Sequence, residues 1–163
     1  MNILNLFKFT KLVVGDRYRG GKIAYLDETG LHGLIAAKAD QSNGIVWIKY
    51  FKQILGASGV ELGSGLANTN KIYNSTGSRS SAYAAGIARS YRGGGYSDWY
   101  LPSKDELNLL YISRTRIGGF QSSFYWSSSE CDENSAWLQF FSNGVQFKYE
   151  KSGTYFVRAI RAF

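Results

Sequence analysis

Ser97-Asp-Trp-Tyr-Leu-Pro-Ser-Lys-Asp-Glu-Leu-Asn-Leu-Leu-Tyr111 spells out a turn followed by the start of a helix. Ser103 has the side chain of an N-cap, and Glu106, three residues on, completes a capping box that satisfies two backbone N–H groups at the helix entry. Pro102 just outside the helix and the acids Asp105 and Glu106 in its first turn favour the same start, the acids by opposing the helix dipole. Leu107, Leu110 and Tyr111 then recur at i, i+3 and i+4, which makes one apolar stripe. The Asp98 and Glu106 carboxylates also admit a catalytic reading; service in a turn and a cap is the simpler one.

Upstream of this helix the chain reads as strands and then short helices. Lys22 to Leu26 and Gly33 to Ala37 flank the turn Asp27-Glu-Thr-Gly30 as a hairpin. Ile45-Val-Trp-Ile48 is a short buried run. Gly56 to Gly65 is a glycine- and serine-rich loop whose spacing fits neither a dinucleotide fingerprint nor a P-loop. A short helix is expected from Leu66 to Tyr73. A second is expected to be capped by Ser81, to carry Tyr83, Ile87 and Tyr91 on one face and to be closed by Gly93-Gly-Gly95.

Downstream, everything reads as short strands. Phe124 to Glu130 and Ala136 to Phe141 come first, and Ser142-Asn-Gly144 turns the chain into Val145 to Tyr149, where Val145, Phe147 and Tyr149 alternate onto one face. Tyr155 to Phe163 ends the chain as a single strand. Helices in the middle and antiparallel strands at both ends predict an α+β class, with a sheet joining the two ends.

The 163 residues suit one domain with a sizeable core. Hydrophobic content of 44% and aromatic content of 16% are those of a globular chain. Nineteen basic against twelve acidic residues give a net charge of +7, which favours anionic partners. The charge is spread out, without the Lys/Arg run of a nucleic-acid tail, so nucleic acid is not the expected partner. A lone Cys131 excludes an intramolecular disulfide framework and a cysteine zinc site, and the lone His32 lacks a partner for a triad or metal cluster. Residues 1–14 are apolar but interrupted by Lys8 and Lys11, which makes a poor signal peptide and no membrane span. They read as an arm for docking or oligomerisation, or as a first strand, ahead of a domain covering residues 15–163.

Several motifs stand in a familiar order: Gly15-Asp-Arg-Tyr-Arg-Gly-Gly-Lys-Ile-Ala-Tyr-Leu-Asp27, His32-Gly-Leu-Ile-Ala-Ala37, Asp40-Gln-Ser42, Gly65-Leu-Ala-Asn-Thr69, Tyr96 to Leu107, Tyr125-Trp-Ser-Ser-Ser-Glu130 and Val157-Arg-Ala-Ile-Arg-Ala-Phe163. Over residues 15–163 the chain resembles the Fibrobacter succinogenes major paralogous domain family, which is similar to the C-terminal domain of collagen-like bacterial adhesins. The resemblance implies a C-type-lectin-like fold of the formylglycine-generating-enzyme type, in modules that bind partners at a cell surface or on a phage. Formylglycine-generating enzymes use a cysteine pair, and only Cys131 is present. The calcium-lectin triplets Glu-Pro-Asn, Gln-Pro-Asp and Trp-Asn-Asp are all missing. No enzyme activity, cofactor or metal is therefore expected; the oxygens of Glu130, Asp132, Glu133 and Asn134 could hold calcium, but a solvated loop is the simpler reading.

In the C-terminal strands Tyr125, Trp126, Trp137, Leu138, Phe140, Val157 and Ile160 read as core. The polar positions, including Ser127 and Lys151, read as the other face and its loops. From these the expected ligand-binding set is Ser129, Asp132, Glu133, Asn134, Gln139, Phe141, Asn143, Gln146, Lys148 and Tyr155, since amides and hydroxyls can bond sugar hydroxyls or peptide groups and aromatic rings can stack on apolar patches. The expected function is recognition of a glycan or surface protein, at a cell surface or as a virion component held by residues 1–14. A purely structural virion protein and a carboxylate-based enzyme, using Asp98 with Glu106 or Glu130 with Asp132, are the alternatives.

Overall fold

The computed structural model describes residues 11–49, 53–76 and 81–163, so residues 1–10 of the expected arm lie outside the described residues. The class is α+β, as the pattern predicts. Strands β1 (Arg17–Tyr18), β2 (Gly21–Leu26), β3 (Gly33–Ala36) and β4 (Ser42–Val46) come first. Helices α1 (Gly65–Ser75), α2 (Ala84–Ser90), α3 (Lys104–Ile112) and α4 (Arg114–Ile117) follow. Strands β5 (Phe124–Glu130), β6 (Ser135–Phe140), β7 (Gln146–Glu150), β8 (Thr154–Val157) and β9 (Ile160–Ala162) close the chain. They form a four-stranded sheet ordered β1-β2-β3-β9 and a five-stranded sheet ordered β4-β8-β5-β6-β7.

The two ends of the chain do share a sheet: β9 pairs with β3 through Leu34↔Ala162 and Ala36↔Ile160. Pairing is not wholly antiparallel, however, because β8 meets β5 in parallel at Tyr125↔Phe156. That contact follows from a break in the expected final strand. At Arg158 the chain leaves one sheet for the other, because the buried guanidinium turns to Asp40 Oδ1 at 2.6 Å and to the Ala37 and Gly119 carbonyls.

The cap signals of the central helices divide. Ser103 Oγ accepts from the Glu106 N–H at 3.2 Å and Glu106 Oε2 from the Ser103 N–H at 2.8 Å, so the capping box forms at the expected place. Leu107 and Leu110 are buried beneath it. In α2 the cap is Tyr83, not Ser81. The buried Tyr83 ring sets the helix entry, with its hydroxyl 2.8 Å from Thr76 Oγ1, so packing overrides the serine signal. Gly93–Gly95 is a separate 3₁₀ turn, and Tyr91 ends α2.

Trp47, Trp99 and Trp126 are fully buried, and each indole N–H has a carbonyl acceptor: Ser127, Gly93 and Ile45 respectively. A buried indole needs such a partner, so these bonds fix how the two sheets sit against the helices. Trp137 and Phe140, expected in the core, are only half-buried.

Candidate functional site

The β6–β7 hairpin is built by local chemistry. Gly144 takes the positive φ of 83° that its turn position requires. Its N–H bonds the Phe140 carbonyl at 2.7 Å, and Asn143 Oδ1 accepts from the Val145 N–H at 3.0 Å. The resulting register sets Trp137 opposite Lys148, Leu138 opposite Phe147 and Ala136 opposite Tyr149. Side chains alternate across a strand, so the hairpin has two unlike faces.

One face meets α3. Gln139 Nε2 donates to Asn108 Oδ1 at 2.8 Å and to the Gly144 carbonyl at 2.9 Å, while Gln146 Nε2 donates to the Lys104 carbonyl at 2.8 Å. Trp137 sits at the margin of this contact, where the ammonium groups of Lys104 and Lys148 lie 4.5 and 5.8 Å from its ring centre. That margin is why Trp137 is not core.

The other face is aromatic. Phe124 stacks on Phe140 at 4.4 Å, and Tyr149 meets Tyr155 edge-on at 5.4 Å. Phe124, Leu138, Phe147, Tyr149 and Tyr155 line a cleft of about 230 Å³. Phe147 and Tyr149 remain 41% and 49% exposed, and β7 is the edge strand of its sheet. Burial, helped by the neighbouring Tyr149 hydroxyl, pushes the Tyr155 phenol up to about 12. Tyr155 is thus a neutral hydrogen-bonding group at any physiological pH.

The expected binding residues divide between surface and interior. Ser129, Gln139 and Phe141 are buried and drop out as ligand contacts. Ser129 Oγ donates to the Gly59 carbonyl and accepts from the Lys104 N–H, Gln139 is held by α3 and the hairpin turn, and Phe141 packs on Tyr125 at 4.4 Å. Asp132, Glu133 and Asn134 are exposed but closed on themselves in the β5–β6 loop: Asp132 accepts from the Asn134 N–H and the Ser135 N–H and hydroxyl. The Ser135 hydroxyl in particular holds the Asp132 carboxyl below its ordinary range. Among the described residues no group of His, Cys, Asp or Glu is placed to hold a metal ion.

Asn143 and Lys148 are exposed, Gln146 is half-buried, and Tyr155 is half-buried in the cleft. The cleft brings Tyr155 together with Phe147 and Tyr149, which the binding set omits although their alternation is plain in the sequence. The carboxylates named for an enzyme have structural partners. Asp98 holds Arg161 through two bonds of 2.7 Å, Glu106 caps α3, and Glu130 is paired with Lys151 at 2.7 Å.

Comparison with known proteins agrees with this architecture. The family model of the Lcl C-terminal domain matches residues 37–161. No curated protein matches the sequence significantly. Among solved structures, a fimbrial protein from Bacteroides ovatus ATCC 8483 is similar, with a TM-score of 0.56 and 16% identity over 78% of this chain. The match spans 35% of that protein, so the present chain corresponds to about a third of it.

Proposed function

The chain belongs to the Lcl C-terminal domain family, and from that premise we propose that it is a non-enzymatic, adhesin-type recognition module that binds a glycan at the edge of its C-terminal sheet. The aromatic cleft on β7 carries this reading, with Phe147 and Tyr149 exposed and Tyr155 beside them. Aromatic faces stack on the C–H faces of sugar rings, while tyrosine hydroxyls and the exposed Asn143 and Lys148 supply hydrogen bonds at the rim. The basic balance of +7 favours a glycan carrying acidic groups. The likeness to a fimbrial protein supports display at a cell surface, and the sequence resemblance supports a C-type-lectin-like fold. Residues 1–14 would serve as the docking arm.

A glycan panel followed by calorimetry on the full chain tests the reading. Phe147→Ala and Tyr149→Ala should each weaken the best ligand by roughly tenfold, the loss expected from one stacking ring. Unchanged affinity in both would overturn it. One observation favours a protein partner as a second reading: among the described residues β7 is an edge strand, which could accept an added strand. In that case Lys148→Pro, which removes a backbone donor, would abolish binding while the aromatic substitutions would not.

A further inference from the structure

A different cavity, of about 300 Å³, opens between the β2–β3 hairpin, the start of α1 and the segment from Tyr100 to Glu106. It shares no residue with the aromatic cleft. Its walls are mainly apolar, with Tyr25, Leu34, Tyr100 and Phe163 inside and Leu62 and Leu66 at a rim where they stay 47% and 40% exposed. Exposed leucines around a concavity are a cost to a soluble surface unless something covers them.

Among the described residues, the ionisable side chains lining it, apart from the tyrosines, are Asp27, His32 and Glu106, with no lysine or arginine, in a chain with a net charge of +7. Among the described residues, the Thr29 hydroxyl and the His32 N–H bond Asp27 Oδ1, and none bonds Oδ2. Glu106 is fully buried and accepts one backbone N–H at each oxygen, from Gly63 and from Ser103. Burial pushes its carboxyl pKa up, so a cation nearby would favour its ionised form.

We propose that this cavity binds a small primary amine with an apolar body, the body against Leu34, Leu62, Leu66 and Phe163 and the ammonium turned to the Asp27 and Glu106 carboxylates. A volume of about 300 Å³ is at the low end for small-molecule sites, which fits a single side-chain-sized group. An ammonium supplies three donors and no acceptor, matching the acceptor oxygens of the Asp27 and Glu106 carboxylates. The rings of Tyr25, Tyr100 and Phe163 add faces that attract a cation. A carboxylate ligand would meet the Asp27 and Glu106 carboxyls and, among the described residues, no lysine or arginine.

Proton–nitrogen NMR titration of the full chain with hexylammonium, hexanol and hexanoate separates the terms. Hexylammonium should shift Leu34, Leu62 and Leu66 and bind roughly tenfold more tightly than hexanol, the margin of one charge-assisted hydrogen bond; hexanoate should not bind. Asp27→Asn should remove most of that margin. Leu66→Trp, at an exposed helix position, should block both hexylammonium and hexanol while leaving the melting temperature unchanged. Equal binding of hexanol, preference for hexanoate, or shifts confined to residues outside the lining would overturn the proposal. Nα-acetyl-lysine amide separates the two sources of such an amine: tighter binding than hexylammonium assigns the site to a lysine of a protein partner, weaker binding to a free amine.

Discussion

Lys151 Nζ lies 2.7 Å from Glu130 Oε1, and both side chains are buried, at 0% and 3% exposure. The ammonium also donates to the Gln53 carbonyl at 2.8 Å and the Glu133 carbonyl at 3.1 Å, and Glu130 accepts from the Leu55 and Gly56 N–H groups. The pair therefore ties the loop after residue 52 to β5 and to the turn before β8. Its charges are fully hydrogen-bonded, which is the condition for a buried pair to offset its desolvation.

Removing one partner leaves the other buried and alone. Lys151→Met should cost about 3–5 kcal/mol, read from the urea midpoint. Adding Glu130→Gln should restore part of that loss, because no buried charge then remains unpaired. A double variant whose loss equals the sum of the single losses would show that the pair is not coupled as described.

The acids of the opening motif respond to pH in opposite directions. Hydrogen bonding to Arg161 holds the Asp98 carboxyl below its ordinary range. Its stabilisation is therefore present above the unfolded value of about 3.9 and lost as pH falls through the lowered folded value. Asp98→Asn should flatten the loss of stability below about pH 4, and should cost at most about 1 kcal/mol at neutral pH because the Asp98 side chain is half-exposed.

Burial raises the Glu106 carboxyl, so its contribution is fully present below the unfolded value and declines as pH rises through the raised folded one. Glu106→Gln can make only one of the two backbone acceptor bonds and should destabilise the fold. Its deficit against the parent should be largest near pH 4 and narrow toward pH 7, since only the parent ionises. Melting curves at pH 4, 5.5 and 7 measure both effects.

Gly144→Ala tests the hairpin that presents the aromatic cleft. A Cβ at this position, with φ at 83°, would run into the Tyr111 ring. The strain and the clash together should cost about 1–3 kcal/mol in thermal unfolding. Asn143→Ala loses only the bond to the Val145 N–H and should cost about 1 kcal/mol. Equal losses for the two would mean that Gly144 is not held in this conformation.

Arg158→Lys should behave as a drastic change. The guanidinium reaches Asp40, Ala37 and Gly119 at once and lies 4.1 Å over the Phe120 ring, a pattern an ammonium cannot copy. A loss of about 3 kcal/mol or more is expected by thermal unfolding, with the contact between the two sheets as the part that loosens first in hydrogen exchange.

What could be read from the chain and what could not divide along sequence distance. Ser103 and Glu106 are three residues apart, so the capping box was visible without any tertiary information. The Ser142-Asn-Gly144 turn and the alternation after it were visible for the same reason. Polarity was a poor guide to exposure. Ser127, Ser129, Gln139 and Lys151 read as surface residues, yet all four are buried. Their partners are the Trp137 and Gly59 carbonyls, Asn108 and Glu130, and only the fold brings most of these near.

Phe147 and Tyr149 show the converse. Their period-2 pattern places them on one face of a strand, but a pattern cannot say whether another layer covers that face. By itself the sequence determined the local grammar of this protein: the cap, the turns, the α+β order and the joining of its two ends. Tertiary structure alone decided which faces were closed, because burial depends on elements that are distant in the chain and on whether each buried polar group finds its partner. The Ser97–Tyr111 motif became scaffold in this way, while the apolar side of β7 was left at the edge of its sheet among the described residues.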